Sequence, residues 1–145
     1  MSRTKWSNSF ENQALGAIKE AFGQGDQSLS VEFEVESLLA PFDAVFSLHR
    51  EGEDPLQLVV ELDGSNHYYE LERHQLSRTL LKYRLLDLVS VNYLRIEYHD
   101  YLVAGSEQLT VDKTKLIAVI KAHLERTKNL EHTTDCRDIF ARILI

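Results

Sequence analysis

Two hydrophobic periods run along this chain. Phe10, Ala14, Ile18 and Phe22 recur every four positions, so they form one apolar stripe of a helix that Ser7 or Ser9 caps and that the GQGDQS break at 23–28 ends. Residues 31–36, VEFEVE, alternate strictly, with Val31, Phe33 and Val35 on one face and three glutamates on the other, the pattern of a half-exposed strand. FDAVFSLHR, after Pro41, predicts a second strand. The turn EGEDP at 51–55 joins it in a hairpin to LQLVVELDG at 56–64, whose nearly continuous apolar run predicts burial on both faces. A leucine-rich helix follows at 74–89, then a strand at 91–98 and a helix at 111–127 with Leu116, Ile117, Ile120 and Leu124 inward. The tail DCRDIFARILI is expected to add a short helix. The predicted order is α-β-β-β-α-β-α, an α/β fold in which a helix crossing between two strands implies a parallel pair inside a mixed β-sheet flanked by helices.

Composition narrows the class. A chain of 145 residues, 43% hydrophobic with 2 Pro and 6 Gly, and with no internal repeat or Pro/Ser-rich linker, reads as one domain over residues 1–130 followed by a C-terminal tail or helix at 131–145. Cys136 is the single cysteine and makes no internal bridge, which points to the cytoplasm or another reducing compartment. No apolar run approaches the roughly 20 residues of a membrane span, and MSRTKWSNSFENQ shows neither signal nor transit-peptide character. The net charge of −7 repels nucleic acid at long range, so any nucleic-acid contact has to be local.

The chemistry-bearing stretch is VVELDGSNH at 59–67. An apolar strand delivers Glu61 and Asp63 to the same sheet face, and an antiparallel neighbour brings Asp43 across from it. Three carboxylates that close repel unless a divalent cation offsets them, which makes Asp43, Glu61 and Asp63 candidate ligands of Mg²⁺ or Mn²⁺. Gly64 permits a sharp turn, after which His67 can fold back as a proton carrier. A solvated strand end and an ordinary histidine would give the same spacing. Asp43, however, stands in an otherwise apolar strand, and Glu61 follows an apolar run; a carboxylate in such a place needs a partner.

These segments, FDAVFSL, LVVELDGSNHYY and LSRTLLKYRLLDLVSVNYLRIEYHDYL, resemble the RAP domain, an RNA-binding module named for its abundance in apicomplexans. Asp43, Glu61, Asp63, Gly64, His67, Thr79, Leu81, Lys82, Arg84, Leu85, Leu86, Ile96 and Tyr98 fall on its pattern, which covers residues 42–102. HDY at 99–101 and Val89-Ser90 depart from it, standing where the family has an acidic residue with tryptophan and a glycine with tryptophan. RAP domains are similar to very-short-patch-repair endonucleases of the PD-(D/E)XK superfamily, so the resemblance implies a restriction-endonuclease-like three-layer core. It also implies phosphodiester hydrolysis by a metal-dependent endonuclease. The superfamily's usual lysine position is here Asp63. The short-patch-repair relatives use a histidine and a helix glutamate instead, roles that the resemblance carries to His67 and to Glu11; Glu11 could equally be a solvated helix residue.

Helical spacing places Gln75, Arg78 and Lys82 on one side of the 74–89 helix, where their polar heads could meet phosphate beside the carboxylates. All six tyrosines lie within residues 68–101. Tyr83, Tyr93 and Tyr98 are expected to pack between helix and sheet, leaving Tyr68 and Tyr69 to stack unpaired bases. The expected function is an RNA-binding or RNA-processing module, with DNA as a further substrate class and a partner protein to supply specificity. The alternative is a non-catalytic acidic protein-interaction module that kept the nuclease fold. Ile139, Phe140, Ile143, Leu144 and Ile145 make the tail apolar enough to dock on the core or form a homodimer contact.

Overall fold

The computed structural model describes residues 5–23, 28–36, 41–63, 73–105 and 110–138, apart from the side chains of residues 5–9, 73–79 and 138. The elements are α1 (Lys5–Phe22), β1 (Leu29–Val35), β2 (Phe42–Arg50), β3 (Glu53–Asp63), α2 (Arg73–Leu88), β4 (Tyr93–Glu97) and α3 (Lys113–Lys128), with short 3-10 turns at Tyr98–Tyr101 and Cys136–Asp138. The order is the expected one. The four strands form a mixed sheet in the order β1-β2-β3-β4. β1, β2 and β3 are antiparallel neighbours, and β3 pairs with β4 in parallel, Asp63 standing opposite Glu97. Among the described residues no helix is long and apolar enough to cross a membrane.

The central strand earns its position from composition. Leu56 to Asp63 are all buried, as a strand flanked on both edges and covered on both faces requires. Leu56, Leu58, Val60 and Leu62 face α1 and α3, where they meet Phe10, Ala14, Ile18, Leu116, Ile120 and Leu124. The alternate residues of β3 face α2, where Val59 joins Tyr83, Leu86, Val91 and Cys136. α3 starts at Asp112, whose carboxylate accepts the Lys115 N–H at 3.1 Å.

Two local departures from the sequence reading have physical causes. β3 begins at Glu53 rather than after Pro55, because the ladder with β2 is irregular between Leu48 and Arg50, where a proline costs no ladder bond. Val35 does not share a core with Val31 and Phe33: Glu34 adopts a φ of 52°, and beyond it Val35 packs with Phe42 on the α2 side. Tyr98 packs its ring edge-on against Phe10, 6.2 Å away on the α1 side, whereas Tyr83 and Tyr93 stack on each other beneath α2. At the end of α2, Ser90 takes a φ of 59° and Val91 N–H donates to Leu86 O at 3.0 Å, a closure that favours glycine.

After α3 the chain crosses the end of the sheet. Arg50 Nη1 donates to Glu131 O, Gln57 N–H donates to Thr133 Oγ1 at 2.8 Å, and Cys136 N–H donates to Gln57 Oε1 at 2.9 Å. Arg137 then reaches Glu32 on β1 at 2.6 Å. This strap carries Cys136 into the cluster beneath α2, where burial pushes its thiol up to about 11 and leaves it inert.

Candidate active site

The ladder between β2 and β3 last pairs Ala44 with Val60. One residue further, two side chains take over the backbone's role. Asp43 N–H donates to Glu61 Oε2 at 3.0 Å, and Leu62 N–H donates to Asp43 Oδ2 at 2.7 Å. Each acid thus accepts from the opposite strand, and the carboxylates sit where ladder bonds would otherwise run. Glu61 is buried and Asp43 half-buried. Removal from water, the adjacent Glu61 charge and, more weakly, Glu11 push the Asp43 carboxyl up to about 8, against the lowering effect of the Leu62 N–H. Glu11, on α1 and half-buried, adds a weaker negative charge near Asp43.

Lys82 answers Glu61. Its Nζ pairs with Glu61 Oε1, donates to Pro41 O at 3.3 Å and lies 4.9 Å from the centre of the Phe42 ring. Its side chain is 13% exposed, so the ammonium belongs to the acidic pair rather than to an open basic face. A lysine is thus supplied beside Glu61 by α2, although the strand position two residues after Glu61 is an aspartate.

Asp63 is on the same face of β3 but turned to other partners. Tyr83 OH donates to its two carboxylate oxygens, at 3.1 Å each, and Arg95 Nε pairs with Oδ2. Arg95 also lies 4.5 Å from the centre of the Tyr83 ring and reaches Glu97 Oε1 at 3.4 Å. Tyr93 stacks on Tyr83 and donates its hydroxyl to Asp87 at 2.9 Å. Burial, then the charges of Asp63 and Glu61, push the Tyr83 phenol far above its ordinary range, so it stays a proton donor. Of the three carboxylates expected to converge, Asp43 and Glu61 come together, whereas Asp63 is held by Tyr83 and Arg95. Among the described residues the three side chains whose ligand atoms lie within 4.8 Å of one another are Glu97, His99 and Asp100, where β4 runs into its 3-10 turn.

Arg95 is the site residue that sequence reasoning missed. A signal was present, because the alternation of Tyr93, Arg95 and Glu97 against the apolar Leu94 and Ile96 puts an arginine on the carboxylate face of the strand beside Asp63. His67, Tyr68 and Tyr69 lie outside the described residues, as do the side chains of Gln75 and Arg78, which fall on α2. In comparison with known proteins, the chain matches no family model, and no curated protein or solved structure matches it significantly.

Proposed function

We propose that this chain is an RNA-processing module of restriction-endonuclease-like fold, a RAP-type domain that hydrolyses phosphodiester bonds with the help of a divalent cation. The observation that carries the reading is the Asp43–Glu61 pair. Two carboxyls wedged between adjacent strands, with Glu11 near and Lys82 on one side, do not hold both negative charges at neutral pH, as the raised Asp43 carboxyl registers. An all-oxygen set of this kind suits Mg²⁺ or Mn²⁺. Asp43, Glu61 and the carbonyl of Leu62 would hold the ion, which supplies acidity to a bound water and positive charge beside a phosphate. The α-β-β-β-α-β order and the parallel β3–β4 pair also agree with the nuclease core.

The chain's own residues then have distinct tasks. Lys82 pairs with Glu61, so its ammonium sits beside the carboxylates that would hold the ion. Asp63 and Tyr83 hold Arg95, whose guanidinium presents planar donors suited to a phosphate. Gln75 and Arg78, which fall on α2 before Lys82, would contact the RNA backbone, with His67 as general acid or base and Tyr68 and Tyr69 stacking bases.

The test is incubation of the pure protein with single-stranded and structured RNA and with DNA, in Mg²⁺ or Mn²⁺. Metal-dependent RNA cleavage is expected, falling about 10²-fold or more in Asp43→Asn and in Glu61→Gln. Cleavage that persists in Asp43→Ala/Glu61→Ala would remove the pair from the mechanism. A second reading is favoured by the ion pairs themselves: Lys82 already matches Glu61 and Arg95 already matches Asp63, which suits a non-catalytic acidic interaction module. Calorimetry showing no Mg²⁺ or Mn²⁺ binding, together with no RNA binding at low salt, would select it.

A further inference from the structure

Helix α2 is apolar on two sides. Tyr83 and Leu86 are buried against the sheet, whereas Leu80, Leu81 and Leu88 are 49, 56 and 74% exposed. At 100° per residue these three leucines, with the exposed Arg84 and Asp87, fall within about 120° of one another and make one outward stripe. Exposed leucines gathered on one helix face mark a contact surface. The stripe also carries both signs of charge. Arg84 has no ion-pair partner among the described residues, and Asp87 is fixed by the Tyr93 hydroxyl, which donates to its Oδ1 at 2.9 Å.

A surface with an apolar centre and both signs of charge complements a second copy of itself in one orientation. Parallel packing of two α2 helices sets Arg84 against Arg84 and is repulsive. Antiparallel packing about a twofold axis between residues 84 and 85 sets Leu81 of each copy against Leu88 of the other, over a span of about 10 Å. In the same register Arg84 stands, along the helix axis, within about 3 Å of the level of Asp87 in the other copy, so two ion pairs accompany the four leucines. Leu80 then lies past the end of the other α2. There the groove lined by Asp87, Ser90 and His132 contains Leu130, itself 41% exposed. We infer that this chain is a homodimer whose two α2 helices pack antiparallel and cover Leu80, Leu81 and Leu88. Lys82 lies about 100° round the helix from Leu81 and pairs with Glu61, so the acidic pair stays outside this interface.

Light scattering and sedimentation equilibrium on the full chain at about 100 µM test this. A mass of twice 16.7 kDa is expected, and Leu81→Glu/Leu88→Glu, at exposed positions, should halve it with the far-ultraviolet dichroism unchanged. Arg84→Glu sets two carboxylates together where each ion pair stood and should weaken the dimer about tenfold or more. Exchanging the charges, in Arg84→Glu/Asp87→Arg, should restore it. An exchanged variant no tighter than Arg84→Glu would refute the antiparallel register and with it the proposal. A monomeric parent would overturn it and leave the stripe to another occupant, the apolar tail at 139–145, outside the described residues, among them. A dimer that survives Leu81→Glu/Leu88→Glu would place the contact elsewhere and count equally against it.

Discussion

On the side of α1 and α3, the sheet presents Ala44, Phe46, Leu58, Val60 and Leu94 to two helices that return Phe10, Ile18, Leu116 and Ile120. On the side of α2, the same strands present Glu61, Asp63 and Arg95, and a single helix returns Lys82 and Tyr83. The first side gains stability from apolar area removed from water. The second spends part of that gain on burying charge, which neutral packing would not require. The contrast puts the buried charges on the side that is costlier to keep and the apolar packing on the other.

The contrast can be broken from either side. Phe46→Ala, which empties a fully buried site on the α1/α3 side, is expected to cost about 3–5 kcal/mol in denaturant unfolding and to leave the carboxylate pair intact. Lys82→Met strands the buried Glu61 charge and is expected to cost about 3 kcal/mol, most of it recovered in Lys82→Met/Glu61→Leu. If the double variant is no better than the single one, the pair is not what holds α2 at this place.

The pH dependence sharpens the same point. Asp43 is raised to about 8 in the folded chain from an ordinary value of 3.8, so between those values the folded state holds a proton that the unfolded state has lost. Its contribution is fully present below about 4 and declines as pH rises toward 8, at no more than about 1.4 kcal/mol per pH unit. Asp43→Asn should flatten that decline, measured as unfolding free energy between pH 5 and pH 8. The smallest effect is expected at the end of α2. Ser90→Gly relieves a left-handed backbone and should stabilise by about 1 kcal/mol, with no change on the α1/α3 side. A loss of stability there would show that the Ser90 hydroxyl has a role the backbone does not reveal.

Much of this was legible because it is local. Phe10, Ala14 and Ile18 announce a buried helix face by spacing alone, and all three are fully buried. Glu61 and Asp63 share a face because a strand's side chains alternate, and Asp43 meets Glu61 because hairpin partners run antiparallel. The partners were less legible. Helical spacing placed Lys82 near the carboxylates but could not say that its ammonium would be enclosed with Glu61. Arg95 was overlooked because, although its alternation with Leu94 and Ile96 puts it on the carboxylate face, a solvated arginine shows the same spacing.

By itself, then, the order of apolar and polar residues determined the α-β-β-β-α-β-α succession, the buried central strand and the face on which the acids stand, since these follow from repeats of two and of three to four residues. Only the tertiary structure decided which basic partner each acid takes. Glu61 lies 21 residues from Lys82 and Asp63 lies 32 from Arg95, so their pairing depends on where the crossing helix and the parallel strand land. Those contacts are set by packing across the whole sheet, and no short-range pattern along the chain encodes them.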